Sequence, residues 1–263
     1  MPRFAANLTL MFTEHPFLDR FAAAAQAGFS AVECLFPYAE APGAIAARLA
    51  EHRLELALFN MPPGDWAAGE RGLAALPDRF PQVTTGVEAA LAYALAMGTR
   101  RLHLMAGLAD RRDAAASGAY RRALRHAAGR LAPHGIDLLI EPINRRSMPG
   151  YFLDDVEAAA DLVRELRGEG LANLRLQFDV FHAQILHGDV TTRLARLLPL
   201  IGHVQVAGVP ARNEPGTGEL DDGFVFSELD RLGYDGLVGC EYNPRAGTLA
   251  GLGWFAPWRD AIG

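Results

Sequence analysis

The chain contains no lysine: all 25 basic residues are arginine, set against 31 acidic residues, for a formal net charge of −6. A Schiff-base aldolase or a pyridoxal-phosphate enzyme needs a lysine amine, so neither chemistry is open to it. A Walker-A phosphate loop is excluded for the same reason. Long apolar runs are also missing; none approaches the ~18 residues that a transmembrane helix requires. No long block of like charge occurs, and the acidic balance offers no footing for a nucleic acid or an anionic membrane. Only two cysteines are present, Cys34 and Cys240, each beside an expected strand end. They read as small buried hydrophobes of a reducing compartment rather than as a disulfide or a metal site. The first ten residues are interrupted by Asn7 and Thr9 and soon meet Glu14, so they lack a secretory apolar core and read as a first strand. The expected location is the cytoplasm.

What is present is a regular alternation of apolar runs and helical stretches, with half of the 263 residues hydrophobic. That alternation predicts an α/β fold with a parallel sheet. Strands are expected over 3–8, 31–35, 54–60, 100–105, 136–141, 174–179, 202–206 and 237–241. Eight is the number of a (β/α)8 TIM barrel, and the length suits a single domain over 1–263. Helices are expected over 16–27, 41–52, 85–98, 114–134, 154–168, 190–198 and 224–232, with a last segment after Leu249. Thr85-Gly-Val-Glu88 reads as a capping box opening the third helix, whose apolar positions are Val87, Leu91, Ala94 and Leu95. Gly28, Gly98, Gly135 and Gly233 fall where a helix-terminating glycine is favoured. The longest connections, 61–84, 144–153 and 207–223, each follow a strand and would cover the active face.

Four of the apolar runs stop on a carboxylate or an amide: Ile136-Asp-Leu-Leu-Ile-Glu141, Leu174-Arg-Leu-Gln-Phe-Asp179, Ile201-Gly-His-Val-Gln205 and Leu237-Val-Gly-Cys-Glu241. Strand C-termini of a parallel barrel converge on one face, so Glu141, Asp179, Gln205 and Glu241 should meet there. Three acids and an amide oxygen suit Mg²⁺ or Mn²⁺ better than zinc, which favours histidine and cysteine. A hard cation bridging a carbonyl and the adjacent hydroxyl acidifies the C–H between them, and two glutamates can move the proton. Each residue also has a plainer role to set beside this one. Glu141 could pair with an arginine at the rim, and Gln205 could hydrogen-bond a neighbouring carboxylate. His182, three residues after Asp179, is expected beside the carboxylates or a substrate oxygen. His203 shares the strand face of Gln205 and is balanced between the site and barrel filling.

On these residues the chain resembles the hydroxypyruvate isomerase family, within the xylose-isomerase-like barrel superfamily. The likeness runs over nearly the whole length. It is densest at Asn60-Met-Pro-Pro-Gly-Asp-Trp-Ala-Ala-Gly-Glu-Arg-Gly72, Glu141-Pro-Ile-Asn144, Gln177-Phe-Asp-Val-Phe-His-Ala-Gln184, Glu214-Pro-Gly-Thr-Gly-Glu219 and Gly239-Cys-Glu-Tyr242. The resemblance implies that Glu141 and Glu241 donate and accept the proton, and that Glu141, Asp179, Gln205 and Glu241 hold the metal. It implies interconversion of hydroxypyruvate and 2-hydroxy-3-oxopropanoate. Arg71 is then a candidate for the substrate carboxylate, since a guanidinium fork matches it bidentately. An ion pair of Arg71 with Glu70 is its structural alternative, and Glu33, near the end of strand two, is similarly balanced between substrate and structure. The pattern departs where the family usually has an acid and a histidine, here Gly208 and Asn213, and another acid, here Ser147.

Four other readings remain at this stage. One is an isomerase of the same family acting on a 2-oxo-tetronate, and another is a sugar-acid epimerase or dehydratase built on the same carboxylates. A metal-dependent endonuclease is opposed by the acidic charge, because a nucleic-acid groove is basic. A barrel retained for binding alone is opposed by the intact four-residue set. The expected partner is a small 2-oxo or hydroxy acid, with no nucleic acid and no membrane, and a homo-oligomer is left open.

Overall fold

Short aliphatic runs punctuated by glycine can bury both faces only inside an α/β layer, and each of the eight becomes a strand of three to six residues. The computed structural model describes residues 1–259. The strands are β1 (Arg3–Asn7), β2 (Ala31–Cys34), β3 (Glu55–Asn60), β4 (Arg101–His103), β5 (Asp137–Ile140), β6 (Leu174–Asp179), β7 (Ile201–Val206) and β8 (Leu237–Cys240). All pair in parallel with their sequence neighbours, and β8 returns to β1 through Arg3↔Leu237 to Ala6↔Cys240, which closes the barrel. The helices are α1 (Arg20–Gln26), α2 (Pro42–His52), α3 (Phe80–Met97), α4 (Ala114–Leu131), α5 (Val156–Gly168), α6 (Val180–Leu186), α7 (Val190–Leu197), α8 (Asp222–Arg231) and α9 (Ala256–Arg259). Among the described residues no helix is long and apolar enough to cross a membrane. The expected last segment and domain end run on into 260–263, outside the described residues.

The closed parallel barrel and all eight strands match the expectation to within one to three residues at each end. Two helical expectations do not. The third helix starts at Phe80 rather than Thr85, because Pro77 and Pro81 set its entry, and proline suits the first helical turn. Thr85 then lies inside the helix, its hydroxyl donating to the Pro81 carbonyl (3.1 Å), while Glu88 pairs with Arg130. Val87, Leu91 and Ala94 are buried as expected, but Leu95 faces outward. Helix α6 was not anticipated. It follows β6 directly because Asp179 Oδ1 accepts from Phe181 N (2.7 Å), capping the turn that carries His182.

The core divides between the barrel interior and the shell of helices. Phe4 leaves β1 outward and meets Phe226, Trp254 and Phe255 edge-on, which seats α8 and the C-terminal segment. Arginine replaces lysine on the helical surface with two-pronged pairs such as Arg121–Glu165 (2.6 and 2.8 Å) and Arg130–Glu88 (2.6 and 3.0 Å). Being exposed to solvent, each adds little to stability. Cys34 and Cys240 are buried and unpaired, as expected.

The loop from β7 to α8 is tied down from its far end. Asp222, the first residue of α8, points inward and accepts from Gly216 N (2.6 Å). Burial pushes its carboxyl up to about 6, opposed by that hydrogen bond and reinforced by neighbouring Asp221. A carboxyl raised in the folded state stabilises fully below the unfolded value and loses that contribution as pH rises through the folded one. Asp222→Asn keeps the acceptor oxygen but cannot ionise. Its stability relative to the unsubstituted protein should therefore climb by about 2 kcal/mol between pH 4 and 7, read by urea unfolding. A difference that does not change with pH contradicts this account of Asp222.

Candidate functional site

Each of the four run-ending residues is delivered by its strand to the same mouth of the barrel. Glu141 directly follows β5 and Asp179 ends β6, where its capping bond fixes the carboxylate. Gln205 lies opposite Asp179 in the β6–β7 register. Glu241 follows β8, with its N–H donating to the Val206 carbonyl (3.1 Å). All four are buried. Two oxygens in the group, Glu141 Oε1 and Asp179 Oδ2, are shielded and accept no hydrogen bond among the described residues. A buried charged oxygen without a donor is costly, so such a pair is a fitting seat for a cation.

Charge is distributed unevenly over the cluster. Arg212, from the loop after β7, puts Nη2 3.0 Å from Glu241 Oε1 and 3.7 Å from Asp179 Oδ2, with its guanidinium 5.1 Å from the Phe181 ring centroid. Glu141 forms no ion pair with an arginine among the described residues, although the Arg212 charge still acts on it from a distance. Burial drives the Glu141 carboxyl well above its ordinary range, and the nearby Glu241 and Asp179 charges push the same way. Burial also raises Glu241, but Arg212 restrains it at about 8. Asp179 is raised by burial and held back by Arg212 and two backbone donors. The two glutamates thus sit in different surroundings, Glu241 against the Arg212 guanidinium and Glu141 beside two further carboxylates.

His182 lies with Nε2 3.5 Å from Asp179 Oδ2 and 3.8 Å from Glu141 Oε1. Glu141, Asp179 and His182 each bring one potential ligand atom within 4.8 Å of the others. The ring's hydrogen bonds favour a different part for it. Asn144 Oδ1 accepts from Ser147 N (2.8 Å), so its amide nitrogen must face His182 Nδ1 (2.6 Å), which also receives the Asn144 backbone N–H (3.3 Å). An Nδ1 that accepts twice leaves the proton of the neutral ring on Nε2, pointing at the carboxylates. Burial keeps the ring neutral by pulling its pKa well below the ordinary value. In that state the His182 N–H faces the carboxylates at 3.5 Å or more without a hydrogen bond to them, so their oxygen atoms stay open.

The carboxylates open into a cavity of about 290 Å³ whose wall includes Glu141, Glu241, His182, Arg212, Arg71 and Trp66. Arg71 reaches it from the loop after β3. Its guanidinium lies 4.0 Å from the Trp66 ring centroid, and one nitrogen donates to the Trp66 and Glu70 carbonyls. The Glu70 carboxylate is taken by Arg79, so the Arg71–Glu70 ion pair does not form. Ser147 and Met148 also line the cavity.

Glu33 and His203 do not line the cavity; they lie inside the barrel in contact with each other, Glu33 Oε2 to His203 Nε2, at 2.8 Å. Glycine at 239 is the reason: a side chain there would occupy the space that the Glu33 carboxylate fills. Gln205 donates to Glu33 Oε1 (2.8 Å) and accepts from Gln177 Nε2 (2.6 Å), so the hydrogen bond to a carboxylate considered for it is made. The departures at Gly208 and Asn213 are also away from the cavity. They pair with each other, and Asn213 donates to the Asn243 carbonyl (2.7 Å).

Sequence reasoning missed Arg212, His103 and Asn60. His103 is buried at the end of β4, with Nδ1 3.2 Å from Asn60 Oδ1 and 3.8 Å from Glu141 Oε2. The search followed runs that end on an acid or amide, and β4 ends on histidine. The alternation Arg101-Leu102-His103-Leu104 was the available signal. Arg212 sits in a loop, and nothing in its neighbours' periodicity aims it inward.

Residues 21–258 match the family model described as xylose isomerase-like TIM barrel. The chain is 54% identical to 2-oxo-tetronate isomerase of Cupriavidus necator over 98% of this chain and 99% of that protein. It is 41% identical to hydroxypyruvate isomerase of Escherichia coli, over 98% and 100%. A crystal structure from Brucella melitensis, described as AP endonuclease, family 2, superposes with a TM-score of 0.95 at 50% identity, covering 99% of this chain and all of that one.

Arg212 carries the positive charge that the carboxylates share. Arg212→Met should lower stability at pH 8 by about 3 kcal/mol, measured by denaturant unfolding after chelator treatment. An unchanged unfolding midpoint contradicts the placement of Arg212 between Asp179 and Glu241.

Proposed function

Because the chain belongs to the xylose isomerase-like TIM barrel family and its relatives over the full length are isomerases, we propose that it interconverts hydroxypyruvate and 2-hydroxy-3-oxopropanoate. The observation that carries this reading is the pair of buried glutamates, Glu141 and Glu241, facing one small cavity with Arg71 on its wall. Arg71 anchors the substrate carboxylate, which places C2 and C3 toward the glutamates. Glu241, kept nearer ionisation by Arg212, takes a proton from C3. The electron pair moves into a C2–C3 double bond, and the hydroxyl proton passes from O3 to O2 as the enediol collapses toward the aldehyde. Glu141, whose carboxyl burial drives upward, delivers a proton to C2. One hydrogen has left C3 and one has reached C2, with no net redox change. The chain's lack of lysine is consistent with a route that needs no imine.

Glu141, Asp179, Gln205 and Glu241 are the residues proposed to hold a divalent cation, Mg²⁺ or Mn²⁺ by their oxygen donors. When bound, the cation supplies Lewis-acid polarisation of the substrate's carbonyl and hydroxyl oxygens. His182, with Nε2 facing Asp179 and Glu141, stands beside this set and is anchored from behind by Asn144. Two buried free thiols suit a reducing cytoplasm.

A second substrate is favoured by a specific observation, the 54% identity to a 2-oxo-tetronate isomerase. A 2-oxo-tetronate carries one more hydroxymethylene beyond C3 and keeps the same reacting C2–C3 unit beside the carboxylate, so the proton transfers are unchanged. An endonuclease reading, which the Brucella structure's description raises, is disfavoured by the net charge of −6, since nucleic-acid binding draws on basic residues.

Glu141→Gln and Glu241→Gln should each lower kcat by about 10²- to 10⁴-fold with the fold intact. Solvent deuterium separates their roles. The Glu141 variant should still wash label into C3 of hydroxypyruvate, whereas the Glu241 variant should not; exchange by the Glu241 variant at the unsubstituted rate contradicts the assignment. Side-by-side kcat/KM values for hydroxypyruvate and a 2-oxo-tetronate choose the substrate. A preference of tenfold or more for the tetronate, about 1.4 kcal/mol in transition-state binding, replaces the first reading with the second.

A further inference from the structure

We infer that Glu33 is a positioning residue: its buried carboxylate dictates which way the Gln205 amide points and so presents the amide oxygen to a cation at the carboxylate cluster. The inference rests on the metal reading above and adds to it a residue from the opposite side of the barrel.

Strand β2, which carries Glu33, and β7, which carries Gln205, are separated by β1 and β8 in the closed sheet. Contact between them must pass through the barrel interior. Glycine at 239 makes that passage, because a Cβ on β8 at this point would collide with both Glu33 carboxylate oxygens. The carboxylate is held at both ends. Oε1 accepts from Asn7 Nδ2 (3.0 Å) and from Gln205 Nε2 (2.8 Å), while Oε2 meets His203 Nε2 (2.8 Å). Glu33 and His203 are fully shielded from solvent, so the assembly is a fixed internal part rather than a surface pair.

Glu33 Oε1 is placed as an acceptor, already taking the Asn7 Nδ2 hydrogen bond, and that is what gives Glu33 its directing power over the Gln205 amide. With the carboxylate against one edge of the Gln205 amide, the NH₂ must face it and Oε1 must face away. The reversed amide would set oxygen against oxygen in a site closed to water. Facing away from Glu33 means facing β6, where Gln177 Nε2 donates to Gln205 Oε1 (2.6 Å) and where Asp179 sits directly across from Gln205. An amide oxygen has two lone pairs, so one remains after Gln177 is satisfied. Without Glu33 the amide loses its preference between the two orientations, and a neutral oxygen ligand is replaced part of the time by an NH₂ group that repels a cation.

The test is Mn²⁺ titration calorimetry on the metal-stripped full chain, with a thermal melt of each variant. Glu33→Gln should weaken binding about ten- to hundredfold, the usual effect of removing a partner that orients a ligand. Loss of a nearby negative charge could also weaken a cation, so the decisive comparison is the same substitution in a Gln205→Ala background. If Glu33 acts through the amide, the double variant binds Mn²⁺ no more weakly than Gln205→Ala alone. An unchanged affinity in Glu33→Gln, or the same factor lost again in the double variant, overturns the proposal. Gly239→Ala keeps the charge and displaces the carboxylate; it should reproduce the weakening, and it decides the matter if Glu33→Gln does not fold. Asp179→Asn separates the two levels. If it binds as tightly as the unsubstituted protein, or if the latter binds no Mn²⁺, the metal reading fails and takes this proposal with it. If Asp179→Asn weakens binding while Glu33→Gln does not, only the positioning role is lost.

Discussion

Three carboxylates, Glu141, Asp179 and Glu241, share one shielded mouth of the barrel, and almost every other feature there answers the cost of putting them together. Like charges a few ångströms apart in a low-dielectric setting repel strongly, and each also loses its hydration. The chain offsets this with one guanidinium, from Arg212, shared between Asp179 and Glu241. The offset is partial. Glu141 forms no ion pair with Arg212 and its carboxyl is raised by burial and by the neighbouring acids, while two shielded oxygens accept no hydrogen bond among the described residues. The same imbalance that makes the site costly suits the proposed cation and the proposed division of the two glutamates into acid and base.

The barrel supplies what a loop could not, which is fixed separation between acids that are far apart in sequence. Glu141, Asp179 and Glu241 stand at or just past strand ends held by parallel ladders on both sides, so their positions are set by the sheet. Charge compensation and the outer wall of the cavity come instead from the long connections: Arg212 after β7, Arg71 and Trp66 after β3, Ser147 and Met148 after β5. Such a division lets loop changes alter the substrate while the proton-transfer geometry stays. It also explains why the departures at Gly208 and Asn213 leave the cavity untouched, since that pair closes its own turn and Ser147 is the altered position that faces the cavity.

The strand ends were legible because a buried parallel strand is an unbroken apolar run, and a carboxylate or amide that stops such a run can only be at its edge. Depth was not legible. Alternation places His203 and Glu33 on an inward face but does not say how far down the barrel they sit; that depends on Gly239, whose missing side chain matters only once β8 lies against β2 across the closed ring. The capping-box pattern at Thr85 was overridden by Pro77 and Pro81, which fix the chain direction before Thr85 is reached. Helix α6 was hidden because it is short and begins on the same aspartate that ends β6, so no turn signal separates the two. Arg212 lay beyond periodicity altogether, being a loop residue placed by hydrogen bonds to Gly208 and Asn243.

The most direct measurement of the central idea is anomalous diffraction at the manganese edge from crystals of the chain soaked with Mn²⁺. A single strong peak enclosed by oxygens of Glu141, Asp179, Gln205 and Glu241 is the predicted result. A peak elsewhere on the molecule, or none at these residues at saturating Mn²⁺, contradicts the account.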